Sequence, residues 1–411
     1  MEAVSQKIDI ENIRKRFPVL NQEVNGKPLI YFDNAASSQT VDSVVDSVVN
    51  FYEADHANIH RGIHTLAERS TKAYEATREH VHKFINSAEA DEIIFTKGTT
   101  ESINLVAHSW GSVNLKEGDE IILSQLEHHS NIVPWQLIAK QKGAKIKVIP
   151  INEKGELDLA EYKKLVNEKT KMVAVNYISN SLGTINPVRE IIDYAFQRGV
   201  ATLIDAAQAA PHLKIDVQDL NCDFLAFSSH KMYGPTGIGI LFGRRELLES
   251  IPPYQGGGEM IKDVSFEETS YNDIPYKFEA GTPNIGDTIA FDKAMSFIEE
   301  IGYEAIQSHE NELLDYATNK LNQIKGFKPI GTAEKKASVI SFLVEGVHPY
   351  DLGQLMDVKG IAVRTGHHCT QPLMDYLGID GTVRASFAIY NTEEEIDLFC
   401  EALQQIVNRF S

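Results

Sequence analysis

Between about residues 92 and 243, short apolar runs bounded by turn residues alternate with longer amphipathic stretches, which is the rhythm of βαβ units. The candidate strands are residues 92–95, 120–123, 145–149, 172–176, 201–204, 224–227 and 239–242. A mostly parallel sheet is expected from them. In an open α/β sheet the ligand lies beyond the carboxyl ends of the strands, so the residues that follow each strand are where chemistry is to be sought.

After Thr282 the pattern changes to a long helical segment over 285–324, strands near 338–344 and 361–364, and a closing helix. The expectation is an α/β protein in two parts. A large domain covers 25–290 and a smaller α+β domain covers 291–411, with residues 1–24 packed beside the small one because chain ends that carry apolar faces are usually tied down. A chain of 411 residues, 43% hydrophobic, has the apolar material for a large core.

Charge narrows the function. Asp and Glu number 58 against 39 Lys and Arg, and a net charge of −19 opposes a nucleic-acid partner, which needs concentrated positive charge. The opening MEAVSQKIDIENIRKRF lacks the apolar core of a signal peptide, and no stretch reaches the ~18 apolar residues of a membrane span, so a cytoplasmic protein is expected. Three scattered cysteines, Cys222, Cys369 and Cys400, are too few for a disulfide framework or a four-cysteine zinc site. Any cysteine chemistry rests on a single thiol.

The strand ends carry the polar motifs. Residues 224–227 run into Ser228-Ser229-His230-Lys231, just before the turn pair Gly234-Pro235. A lysine there can be desolvated and so supply a neutral amine for a Schiff base with an aldehyde cofactor, with Ser228 and His230 beside a phosphate. The other reading is a lysine that snorkels from the strand end to solvent. Asp205, with Gln208 three residues on, ends the preceding strand; it fits a carboxylate that keeps a pyridine nitrogen protonated, or a plain helix cap. Lys97-Gly98-Thr99-Thr100 offers a helix N-terminus and hydroxyls to a phosphate, or simple capping by Thr99.

Glu127-His128-His129-Ser130-Asn131 follows another strand, where one imidazole could stack on a flat ring. Adjacent histidines rarely ligate one ion and no acidic or thiol partners stand at matching spacing, so no metal is expected. Asn180 is a donor to a cofactor oxygen or part of an Asx turn. In the second domain, Arg364 to Pro372 places Cys369 beside His367, His368 and Arg364, and positive neighbours raise a thiol's thiolate fraction. The packing alternative suits Cys222 and Cys400, which sit among apolar residues, better than Cys369.

In order along nearly the whole chain, Gly98-Thr99-Thr100, Glu127-His128-His129, Asp205 with Gln208, Ser228 to Lys231 and Arg364 to Pro372 resemble the cysteine desulfurases of the fold-type I, pyridoxal-phosphate-dependent, class-V aminotransferase-like group. The resemblance is to the SufS-type, or group II, branch. It implies that Lys231 carries pyridoxal 5'-phosphate, His128 stacks on its ring, Asp205 meets the ring nitrogen, and Asn180 and Gln208 meet the phenolic oxygen. Thr99, Thr100, Ser228 and His230 would hold the phosphate. Thr282 would reach it from a neighbouring subunit, which implies a homodimer. Arg384 would grip the substrate carboxylate and Arg364 would lie near Cys369.

The implied reaction turns L-cysteine into L-alanine. Cys369 holds the sulfur as a persulfide and passes it to an acceptor of SufE or SufU type for iron–sulfur cluster assembly; selenocysteine lyase is the alternative. Thr365 and Thr370 depart from the pattern where the family often has alanine, a change that could alter loop mobility.

Overall fold

The structure, a computed structural model, describes residues 8–410. Seven strands form the central sheet in the spatial order Ile93–Thr96, Gly239–Gly243, Phe224–Ser228, Ala201–Asp205, Thr170–Asn176, Glu120–Ser124 and Lys145–Ile149. Gly239–Gly243 runs antiparallel to both of its neighbours, and the remaining pairs are parallel. Each expected strand is present with its ends shifted by no more than two residues. Long apolar runs mark the inner strands well because a strand covered on both faces carries apolar side chains at nearly every position, whereas the edge strand Lys145–Ile149 alternates with lysine and stays largely open to solvent.

The two-residue alternation of a strand divides these side chains between two cores. Ile94, Ile121, Leu123, Leu203, Phe224, Ala226 and Leu241 join one buried cluster. Ile93, Phe95, Ile122, Val173, Val175, Ile204, Leu225 and Phe227 join the other. The helices that cover the sheet follow the same economy: in Val188–Phe196 the buried residues are Val188, Ile191, Ile192 and Ala195, one face of a 3.6-residue turn.

The expected single helical segment over 285–324 is two helices, Ile285–Ile301 and Tyr303–Leu321. Gly302 separates them at φ 83°, ψ 139°, a conformation that a residue without a Cβ reaches cheaply. The first helix contributes Ile285, Phe291, Ala294 and Phe297 to the large core, whereas the small core begins on the second helix at Leu313.

That smaller core lies under a four-stranded antiparallel sheet, Phe327–Ile330, Val339–Val344, Thr382–Ser386 and Arg364–Gly366 in spatial order, backed by the closing helix Glu393–Phe410. The expected boundary near residue 25 is corrected: the short strand Ile30–Tyr31 pairs in parallel with Ile361–Ala362 and Ile30 joins the small core, whereas Phe17 and Leu20, in the segment 1–24, belong to the large one. Phe17 packs against Tyr233, Phe297 and Tyr390, and the Arg14 guanidinium donates to the Tyr390 carbonyl and pairs with Glu395. The first seven residues of that segment lie outside the described residues. Among the described residues, no helix is long and apolar enough to cross a membrane.

Candidate active site

The strand ends of the large sheet and one edge of the small sheet meet at a pocket of about 210 Å³. It is lined by Thr99, Thr100, His128, Asn180, Asp205, Gln208, Ser228, His230 and Lys231 from the large unit, and by Arg364, His368, Cys369 and Arg384 from the small one. Thr282 is exposed and lies away from this pocket. A larger cleft, about 640 Å³, runs between helix Tyr303–Leu321 and residues 331–338 and contains none of these groups.

Lys231 stands at the end of strand Phe224–Ser228, on the short turn Ser229–Lys231. Burial pulls its amine down to about 8, and the nearby charge of Asp205 only partly offsets that. The snorkelling reading is therefore not what the fold adopts: the amine faces a pocket, among groups that disfavour its charge. Asp205 is buried at the end of the neighbouring strand, and burial raises its pKa. One carboxylate oxygen accepts from the Ala207 N–H at 2.9 Å, a capping-type bond, while the other has no hydrogen-bond partner among the described residues.

The imidazoles of the pocket are neutral. Burial, with the charge of Lys231 nearby, holds His128 down at about 3 and His230 at about 4. His128 Nδ1 accepts from the Ser130 N–H at 3.1 Å, which leaves the proton on Nε2. At the other end, the Ser228 hydroxyl lies 2.7 Å from both the N–H and the hydroxyl of Thr99, and the Thr100 and Ser130 hydroxyls are 2.7 Å apart. The helix cap there is Gly98, not Thr99, so neither threonine hydroxyl is spent on capping and both face the pocket in a hydroxyl network with Ser228 and Ser130. A second depression, lined by Gly98, Thr99, Thr100, Ser228, His230 and Tyr254 among others, opens this end to the surface.

Arg384 is 1% exposed on strand Thr382–Ser386 and pairs in register with Arg364 on the adjoining strand. Its guanidinium donates to the Asn180 carbonyl and to Asp33, both at 2.9 Å, and its Nε has no partner. Arg364 lies 3.5 Å from the other oxygen of Asp33. Asp33 therefore anchors both cations, a role that the sequence reading missed. The signal was present: the apolar run Ile30-Tyr31-Phe32 ends in Asp33-Asn34, the same strand-end pattern, but it lies ahead of the βαβ region at 92–243. Ala35 was also missed; its carbonyl accepts from Gln208 Nε2 at 2.6 Å.

Cys369 lies on four residues, 367–370, between strand Arg364–Gly366 and helix Gln371–Leu377. His368 and Cys369 both have positive φ, 52° and 58°, which is unusual for residues with a Cβ and is held by surrounding bonds. The Cys369 carbonyl accepts from the His129 N–H at 2.7 Å, the His368 carbonyl from Asn180 Nδ2 at 2.7 Å, and the buried Thr370 hydroxyl is 2.6 Å from that of Ser181. The departure at Thr370 thus tightens the loop. One expectation is corrected: His368 is not a cation beside the thiol, because burial drives its imidazole down to about 2. The positive charge coupled to Cys369 comes from Arg384 and Lys231.

A lysine at a strand end, a buried carboxylate on the neighbouring strand and neutral imidazoles lining the same pocket define, on this sheet, a fold-type I protein with pyridoxal 5'-phosphate as its cofactor. The fit rests on the free Asp205 oxygen, the depressed Lys231 amine and the hydroxyls at the open end. Among the described residues, no group of three His, Cys, Asp or Glu side chains could hold a metal ion. The chain belongs to the class-V aminotransferase family, which matches residues 30–399. It is 50% identical over 97% of its length to a cysteine desulfurase of Synechococcus elongatus, of which it spans 64%. With a probable cysteine desulfurase of Halalkalibacterium halodurans the identity is 47%, covering 98% of this chain and 99% of that one. The apo structure of a cysteine desulfurase from Thermococcus onnurineus superposes with a TM-score of 0.93 at 41% identity, covering 99% of this chain and 100% of that one.

Proposed function

We propose that the protein is a cysteine desulfurase that converts L-cysteine to L-alanine and retains the sulfur on Cys369 as a persulfide. The observation that carries this reading is the presence of Cys369, Lys231, Arg364 and Arg384 around one pocket, with the thiol on a loop pinned at three points. An aminotransferase has no need of a thiol there.

Lys231 would hold the cofactor, with Asp205 at its ring nitrogen, His128 against its ring, Asn180 and Gln208 at its phenolic oxygen, and Thr99, Thr100, Ser228 and His230 at its phosphate. When bound, the cofactor supplies the electron sink that makes the substrate's α-proton acidic. Arg384, with Arg364 beside it, binds the substrate carboxylate, the task that a guanidinium fork performs best. The neutral Lys231 Nζ takes the α-proton. Cys369 Sγ attacks the substrate sulfur; an S–S bond forms as the Cβ–S bond breaks, and the carbon keeps the bonding pair and then takes a proton. L-cysteine plus a thiol gives L-alanine plus a persulfide, so no outside oxidant is needed.

The 367–370 loop cannot travel far, so the persulfide is collected by a protein that comes to it, an acceptor of SufE or SufU type serving iron–sulfur cluster assembly. Thr282 serves the phosphate of a second copy, and the open depression at that end of the pocket leaves room for it. Alanine release from L-cysteine, with a reductant present, tests the reading. Wild-type protein should release alanine and Cys369→Ala none. Equal release from both would move the chemistry to a lyase route without a protein persulfide.

A further inference from the structure

Glu127 has no part in the chemistry above, yet donors from three elements behind the pocket converge on it. It is 1% exposed, between strand Glu120–Ser124 and the turn His129–Asn131. Oε1 accepts from the Asn176 backbone N–H at 3.0 Å and bonds the Ser124 hydroxyl, and Oε2 accepts from Asn131 Nδ2 at 2.7 Å. Neither nitrogen donor can turn away. The Asn176 N–H is backbone, and the Asn131 Oδ1 accepts from Trp135 Nε1 at 2.9 Å, so that amide cannot flip without setting two donors face to face.

The turn above this carboxyl supplies three parts of the site at once. His128 lines the pocket, the Ser130 hydroxyl meets Thr100 at the phosphate end, and the His129 N–H holds the Cys369 carbonyl. We infer that Glu127 is a positioning residue, whose two carboxyl oxygens fix the 127–131 turn so that His128, Ser130 and His129 stand correctly toward ring, phosphate and persulfide loop. Burial raises its pKa to about 8, with a smaller push from Asp205, so it is mostly protonated at neutrality. A proton shared with Ser124 leaves both oxygens able to accept from the two N–H donors.

A glutamine cannot do this. With its NH2 at the Oε1 place it meets the Asn176 N–H, and at the Oε2 place it meets the Asn131 NH2. A second change removes the conflict: with aspartate at 131, the glutamine NH2 donates to one carboxylate oxygen while Trp135 Nε1 donates to the other.

The experiment uses purified holoenzyme and reads the visible circular dichroism of the bound cofactor, which reports the asymmetry of its surroundings, together with alanine release. Glu127→Gln should keep its far-ultraviolet spectrum, lose most of the visible dichroism, and turn over roughly 10-fold or more slower, the scale of one unmet buried donor. Glu127→Gln with Asn131→Asp should recover both to within about two-fold. Wild-type dichroism in the single variant overturns the inference, as does a double variant as poor as the single one. If the single variant does not fold, the double variant decides alone: it folds with wild-type dichroism, or the inference falls. The turnover arm rests on the desulfurase reading. The dichroism arm does not, so absence of alanine from the wild type would sink that reading and leave the role of Glu127 still decided.

Discussion

Lys231 shows how one position acquires its chemistry from its surroundings. Its amine loses a proton near pH 8 because the pocket withdraws it from water, and the neighbouring carboxylate of Asp205 recovers only part of the lost charge stabilisation. Covalent loading of the apoprotein with pyridoxal 5'-phosphate needs the neutral amine. Its rate should therefore rise about ten-fold per pH unit up to pH 8 and level off above it. His128 and His230, held at about 3 and 4, are already neutral across that window and do not distort the profile. The growth of cofactor absorbance with time after mixing, at a series of pH values, measures this; a midpoint near that of an ordinary exposed lysine would contradict the burial argument. Lys231→Ala should release its cofactor on gel filtration and show no turnover.

At the level of elements, the end of the pocket proposed to take the phosphate is set by how closely two backbones approach. A Cβ built on Gly239 would lie 2.4 Å from the Cα of Gly98, in the turn that leads into Thr99 and Thr100. No flexible side chain is there to yield, so Gly239→Ala must displace the turn. Weakening of cofactor affinity by about ten-fold or more, at a cost in stability on the order of 1–3 kcal/mol, is expected from such overpacking. Fluorescence titration of apoprotein with the cofactor and a thermal melt would measure the two effects, and unchanged affinity would refute the account. The loop that bears Cys369 follows a comparable logic. Its short length was legible in the sequence, but the bonds that pin it, from His129, Asn180 and Ser181, come from residues about 190 to 240 positions away, and only the packed sheet brings them there.

For the whole molecule, the phosphate end opens outward and the chain bears large apolar side chains in water: Ile63 is 95% exposed, and Phe266, on the hairpin formed by Ile261–Val264 and Thr269–Tyr271, is wholly so. Isolated exposed hydrophobics are ordinary; the open side of the pocket is the feature that a partner would cover. A second copy that lends Thr282 would close it. Sedimentation should give a dimer, and Thr282→Ala should weaken cofactor retention by several-fold while leaving the dimer intact. A monomer that retains cofactor and full turnover on dilution would refute this.

Strand positions, the strand-end motifs and the chemical types at Lys231, Asp205 and Cys369 were determined by the sequence alone, because a strand buried on both faces needs an unbroken apolar run and polar residues can return only where it ends. The break at Gly302 was visible as a glycine, although a helix can carry one, and only packing on two different cores made it a boundary. The strand Thr382–Ser386 was missed, and with it the reason that Arg384 stands beside Arg364: its pattern reads TVRAS, with a charge in the middle of a buried segment. That charge is tolerable only because Asp33, some 350 residues earlier, meets it in the folded state. Local pattern records what a segment must bury, whereas the partner that makes a buried charge affordable is chosen by the chain's path through space.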